Sequence, residues 1–74
     1  MTLPAGARSL TPTELAVLEA LIAGARTVRS AGERAGVPTT STHEALVRLR
    51  TLGLAAWETG KAGTLRPLVG HATR

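Results

Sequence analysis

The chain contains no Cys, Phe, Tyr, Asp, Asn or Gln, and Trp57 is its only aromatic residue. Without Cys, neither a disulfide framework nor a thiolate metal site is available. His43 and His71 stand without a Cys or carboxylate cluster, so no catalytic metal site is expected. A phosphate loop, a nucleophile motif and a paired acid and base at a plausible spacing are all missing. An enzyme is therefore the weakest reading, and no cofactor or small-molecule ligand is evident. No apolar run approaches the roughly 18 residues of a transmembrane helix. The start lacks the charged segment and apolar run of a signal peptide. The expected location is the cytoplasm of a prokaryote or a phage-infected cell. The absence of Phe and Tyr leaves an aliphatic core. In 74 residues rich in Ala and Gly that core is small, and a homodimer interface is one way to enlarge it.

What is present is basic. Nine Lys and Arg against five acids, all of them Glu, give a net charge of +4 and a sequence pI of about 11.5. Such a balance favours a polyanion partner, although a merely soluble Arg-rich domain has the same balance. Lys61 is the single lysine; the heavy Ala, Arg and Gly usage reflects GC-rich codons and not function.

The punctuation of the chain divides it into an arm, three helices, a hairpin and a tail. Residues 1–9 carry Pro4, Gly6 and Arg8 without periodicity and read as a flexible arm. The first helix, about 12–23, opens on Thr11 as N-cap, Pro12 at N1 and Glu14 at N3, a capping box. Leu10 and Leu15 stand at the positions of a hydrophobic staple. Leu15, Leu18, Leu21 and Ile22 share one face, and Gly24 is the stop. The other side, Ala16, Ala20 and Ala23 beside Val17, is poor in charge. It suits either a covering partner or plain helix propensity. The second helix, about 28–35, is capped by Thr27 and turns Val28, Ala31, Gly32 and Ala35 inward, with Arg29, Ser30, Glu33 and Arg34 outward. Gly32 weakens a helix by roughly 1 kcal/mol, which close approach of the next helix would justify.

Gly36-Val37-Pro38 is a tight turn. The third helix follows over about 40–52, with one of Thr39, Thr40 and Ser41 as its N-cap. Its buried stripe is Thr42, Ala45, Leu46, Leu49 and Leu52. The opposite arc centres on Thr40, Glu44, Val47 and Thr51, flanked by His43 and Arg48, and Gly53 stops it. A hairpin over about 54–69 comes next, with Leu54 to Glu58 leading to a flexible two-glycine turn and Thr64 to Leu68 returning. Pro67 confines the return strand to an edge or its own exit. Pairing across the tip sets Trp57 opposite Leu65. If Leu54 and Leu68 face the core, alternation turns Trp57 and Leu65 to the other side as a partner surface. Otherwise sheet twist folds Trp57 over the edge of the core, the slightly favoured arrangement. Residues 70–74 read as a flexible tail.

The layout is mainly α with a small β-hairpin, a three-helix winged helix-turn-helix in which the second helix of the turn motif would enter the DNA major groove. GVPTTSTHEALVRLRTLGL resembles the recognition segment of IclR- and MarR-type bacterial regulators. Gly36, Val37, Pro38, Thr40, Ser41, Leu46, Leu49, Gly53 and Leu54 fit in register. LTPTELAVLEALI from Leu10, and the hairpin ending TLRPL, resemble the LexA DNA-binding domain and its wing. The resemblance covers about Leu10 to Leu68. It departs at Thr42, where an aliphatic residue is usual, and at Glu44, where a basic or neutral polar one is. By resemblance, with no sensing or catalytic domain after the wing, this is a minimal DNA-binding module.

That reading assigns chemistry residue by residue. Phosphate contacts position a protein and base contacts specify sequence. Thr39, Thr40 and Ser41 offer hydroxyls and helix-start amides to a phosphate oxygen. Arg48 can form a bidentate contact to guanine, or bind phosphate or solvent. Glu44 can accept from cytosine N4, although an intrahelical pair with Arg48 is the favoured expectation. His43 can touch a base or phosphate, and Val47 a thymine methyl. Lys61 at the wing tip and Arg66 on the return strand suit phosphate or the minor groove. Arg26, Arg29 and Arg34 suit phosphate or solvent, and Arg8 a minor groove. Without Asn or Gln there is no bidentate adenine reader, so phosphates must dominate affinity. The expected function is a sequence-specific, double-stranded DNA-binding transcriptional regulator, a small phage, plasmid or bacterial repressor acting as a homodimer. Two alternatives stand beside it. One is an architectural, partition or recombination-directing DNA-binding protein of a mobile element. The other is a winged-helix adaptor or inhibitor that contacts protein.

Overall fold

A computed structural model describes residues 10–68. The arm expected over 1–9, with Arg8, and the tail over 70–74, with His71, lie outside the described residues. Three helices, α1 (Pro12–Ile22), α2 (Val28–Ala35) and α3 (Thr39–Thr51), precede a hairpin of β1 (Ala55–Ala56) and β2 (Arg66–Pro67). The architecture is the expected one, mainly α with a small antiparallel hairpin, a three-helix winged helix-turn-helix. Each helix lies within a residue of its expected bounds.

Local chemistry explains the helix starts. The Thr11 hydroxyl accepts from the Glu14 amide, and the Glu14 carboxylate accepts from the Thr11 amide, at 3.1 Å each. Thr27 and Ser30 form the same reciprocal pair at the start of α2, where Ser30 serves as the reaching side chain. The third start departs from expectation. Helix α3 begins one residue early, so Pro38 occupies the N-cap and no side chain caps it. Thr39, Thr40 and Ser41 lie inside the first turn, where their own hydroxyls cannot serve as the cap.

The ends follow one pattern. After α2, Gly36 adopts φ +73°, a left-handed conformation that a side chain would resist. Its amide bonds to Glu33 O, and the Val37 amide reaches back to Gly32 O at 2.9 Å. This is the double bond of a Schellman ending. Helices α1 and α3 end the same way at Gly24 and Gly53.

The core lies between the helices, with Val17, Leu18, Leu21, Leu46 and Leu49 wholly buried. Helix α1 is the central element, packed against both other helices and β2. This arrangement corrects its expected inward face. Val17 and Ala20 are buried, whereas Leu15 and Ile22 are only partly covered. A helix flanked on two sides buries an arc wider than one leucine stripe, and the small residues are the ones that admit close neighbours. The mild side is thus largely covered within the chain. Leu52 is a second correction. It is 42% exposed, because α3 stops at Thr51 and Leu52 serves as the C-cap.

The hairpin pairs Ala55 with Pro67 and Ala56 with Arg66, the register that continues to Trp57 and Leu65. The ladder stops short of that pair. The Leu65 amide donates instead to Arg26 O in the α1–α2 connection, at 3.2 Å. The return strand alternates in the phase opposite to the one that places Leu68 inward, with Leu65 and Pro67 buried and Arg66 and Leu68 exposed. The outgoing strand alone departs from alternation, because Leu54 and Ala55 are both buried. Trp57 is half-buried and packs against the core cluster, as twist over the core edge requires.

Gly32 and Thr42 define where α2 and α3 cross. A Cβ on Gly32 would stand 2.6 Å from Thr42 Oγ1 and 3.0 Å from Val37 O. Thr42 is fully buried, and its hydroxyl donates to Pro38 O at 2.9 Å. Gly32→Ala gains about 1 kcal/mol of helix propensity but forces a shift costing about 1–3 kcal/mol. Net destabilisation by denaturant unfolding is the expected outcome. Thr42→Ala removes the nearer obstacle, so the double variant should be more stable than the sum of the single costs predicts, by at least ~0.5 kcal/mol. Additive costs would mean that the two residues do not meet.

Candidate nucleic-acid interface

Helix α3 buries Thr42, Ala45, Leu46 and Leu49. At about 100° per residue this leaves Thr40, Glu44, Val47 and Thr51 along the outward line, and all four are exposed. His43 lies toward the wing and Arg48 toward the opposite flank, as expected. Val47 is 46% exposed in the middle of this arc. The expected Glu44–Arg48 pair does not form. Among the described residues the ion pairs are Arg29–Glu33 at 3.3 Å and Lys61–Glu58 at 3.4 Å. Both Glu44 and Arg48 therefore present free heads to solvent.

The start of α3 is chemically open. The Thr42 amide is the first in this helix to find a backbone acceptor, Pro38 O at 2.9 Å. Among the described residues, the Thr39, Thr40 and Ser41 amides make no such bond. No acid of α3 occupies its first turn, although Glu14 of α1 borders the same depression as Ser41. Thr39 and Thr40 are exposed and Ser41 is half-buried.

The structure gathers some of the expected residues and leaves others apart. His43 and Lys61 line the same cavity between α3 and the wing. Ser41 and Glu44 border a depression shared with Thr11, Thr13 and Glu14 at the start of α1. Arg66 is exposed on β2. Arg29 projects from α2 into solvent, held only by an exposed pair with Glu33, an interaction of little energetic weight. Arg26 is partly engaged, because one guanidinium nitrogen donates to Leu21 O and Ala25 O at the end of α1.

Two contacts escaped the sequence. The Arg50 guanidinium lies 4.7 Å from the centre of the Trp57 ring, so the one aromatic of the wing holds a cation beside α3. Arg50 follows His43 by seven residues, the signal that places both on the wing side. Thr64 is the other. Its hydroxyl accepts from the Glu58 amide at 2.9 Å and lies 3.0 Å from Lys61 O, to which it donates. The tip is thus braced across its base, where composition alone suggested free movement.

Charge around α3 is mixed. The wing side carries Arg50 and the Lys61–Glu58 pair, the opposite flank carries Arg48 and Glu14, and Glu44 stands on the outward line between them. Among the described residues no helix is long and apolar enough to cross a membrane. No family model, curated protein or solved structure matches the chain.

The brace makes a specific prediction. Thr64→Val keeps the side-chain shape and removes the hydroxyl, leaving the Glu58 amide without its acceptor. Hydrogen exchange at Glu58 should accelerate about fivefold, the equivalent of roughly 1 kcal/mol for one lost bond. Amides in α1 should keep their protection. Unchanged exchange at Glu58 would show that the hydroxyl does not hold the tip.

Proposed function

We propose that this chain is a sequence-specific double-stranded DNA-binding transcriptional regulator, with α3 in the major groove and the wing on the flanking backbone or minor groove. The observation that carries the reading is the uncapped, acid-free first turn of α3, continuous with an exposed arc of short polar side chains and flanked by a basic wing. A phosphate oxygen suits the Thr39, Thr40 and Ser41 amides and hydroxyls. Arg48 reads guanine, Val47 packs on a thymine methyl, and Glu44 accepts from cytosine N4. Arg50 joins the cations Lys61 and Arg66, with the His43 imidazole beside them, as an anchor for the backbone. The resemblance of residues 36–54 to IclR- and MarR-type recognition segments supports the same assignment.

The same reading takes the chain to act as a homodimer on a two-fold operator. Recognition helices of a dimer stand about 34 Å apart, one turn of DNA. The described body measures 28 × 22 × 20 Å, a size that lets two copies sit side by side at that spacing. In this reading the protein is a non-catalytic, nucleoid-associated cytoplasmic repressor.

One observation favours a second reading. Val47 is exposed at the centre of the arc beside an unpaired Glu44, a combination that also suits a protein surface. A winged-helix adaptor would use this face without DNA.

Selection of bound duplexes from a random pool separates the readings. An enriched inverted repeat is the expected result for a dimeric regulator. Enrichment of shape without sequence would indicate an architectural role, and no retained duplex would favour the adaptor. On the selected duplex, Arg48→Ala should cost about 1–3 kcal/mol and relax specificity at one position. Lys61→Ala should weaken all sequences alike and reduce the salt slope by about 1. Affinity that barely changes with salt would contradict a phosphate-dominated interface.

A further inference from the structure

Folding closes a cavity that no stretch of the sequence announces. It has a volume of about 260 Å³ and lies between the start of α2, the middle of α3 and the wing. Val28, Leu46, Trp57 and Leu65 form an apolar wall, and Arg26, His43 and Lys61 also line it. No carboxylate does.

The polar groups of the lining narrow what could occupy it. The Thr27 hydroxyl is already bonded to Ser30, and that of Thr64 to Glu58 and Lys61. Neither is left over for a neutral polar guest. Arg26 spends one terminal nitrogen on the carbonyls of Leu21 and Ala25. Its Nε and other terminal nitrogen make no bond among the described residues. The His43 imidazole makes none there either. Lys61 meets only the exposed Glu58 carboxylate, at 3.4 Å. The unspent capacity is thus mainly cationic or N–H donating, with one acceptor nitrogen on a neutral imidazole, and the wall between is chiefly hydrocarbon and indole.

We propose that this cavity is a binding site for a small amphipathic carboxylate. Its apolar body lies against Val28, Leu46, Trp57 and Leu65. Its carboxylate meets Arg26, His43 and Lys61. A bare phosphate would leave the wall wet, and an uncharged apolar molecule would leave the donors unanswered. The volume falls below the roughly 300–1,000 Å³ of common ligand pockets, so the body is a single ring or a short chain. The occupant would bridge α3 to the wing tip. The proposal concerns the free protein and stands whether or not the chain binds DNA.

Trp57 makes the test direct, because its fluorescence is the only aromatic signal of the chain and it lies in the wall. The protein is titrated with phenylbutyrate, with phenylbutanol as the uncharged counterpart and with acetate as the headgroup alone. Backbone amide shifts are followed in parallel. The expected result is a saturable fluorescence change with phenylbutyrate and shifts centred on His43, Leu46, Gly63 and Leu65. The alcohol and acetate should bind at least tenfold more weakly. His43→Ala with Lys61→Ala, both at exposed positions, should weaken phenylbutyrate at least fivefold and leave the alcohol unchanged. Ala62→Phe, a solvent-exposed substitution on the lining, should block the carboxylate by filling space. The proposal is overturned by any of four outcomes: no saturable binding, equal affinity for alcohol and carboxylate, shifts that map elsewhere, or full affinity in the rim variant.

Discussion

Helices α2 and α3 are separated by Gly36, Val37 and Pro38 alone, and they cross where Gly32 faces Thr42. So short a connection leaves no slack. The second helix can approach only if one residue has no side chain at the crossing, and Gly32 is that residue. Thr42 fills the contact from the other side. Its methyl is buried like the aliphatic residue usual in the resembling families, while its hydroxyl is returned to Pro38 O one turn back. Every buried side-chain polar atom described is accordingly satisfied. From this crossing follows the rotation of α3 about its axis. That rotation puts Ala45, Leu46 and Leu49 on α1 and the wing, and Thr40, Glu44 and Val47 in solvent. A bulkier residue at 32 would therefore disturb the whole exposed arc and not one contact.

The elements were legible where a local chemical rule is strong. The capping box at Thr11–Glu14, the Thr27 cap, the glycine stops at 24 and 53 and the turn at Gly36 depend on residues within five positions of one another, whereas the reaching side chain of Ser30 falls at a position expected to face outward. Sequence carries such rules intact. Gly32 was legible as a question, a helix interior weakened for a reason that lay elsewhere, and the reason is Thr42. Failures came where a distant neighbour decides. The inward face of α1 is set by helices on both sides, so Val17 and Ala20 are buried ahead of Leu15 and Ile22. The return strand kept its alternation in the opposite phase, with Leu65 and Pro67 inward, and the Leu65 amide bonds to Arg26 O across the fold, a partner no hairpin rule includes. Leu52 left the core because the helix ends one residue before it.

The candidate surface was legible as a line of residues and less so as a field. The arc from Thr40 to Thr51 follows from the helical period alone. Its charge does not, because the neighbours on each side come from other elements. Arg50 and Trp57 are seven residues apart in sequence and belong to different elements, yet together they place a cation between α3 and the wing. Glu14 caps α1 and at the same time adds negative charge beside Ser41. The Arg50–Trp57 contact thus puts a cation on the wing side of α3, while Glu14 puts an anion on the side of α1. The net charge of +4 conveys none of this direction.

The three helix starts sharpen the same point. Two of them close their open amides with reciprocal side-chain pairs, at some cost in sequence freedom. The third has Thr, Thr and Ser at hand and does not use them, because Pro38 takes the cap position and moves each hydroxyl one place into the helix. An uncapped start forgoes about 0.5–2 kcal/mol in a domain with a small core. Part of the loss is offset by Pro38, whose fixed φ suits the entry and whose carbonyl anchors the Thr42 amide and hydroxyl together. The remaining amides stay solvated and available, at the start of a helix whose outer face is exposed. Stability arguments alone would have capped all three helices alike. The exception falls where a phosphate would supply the missing acceptors, which makes the absent cap as informative as the two that are present.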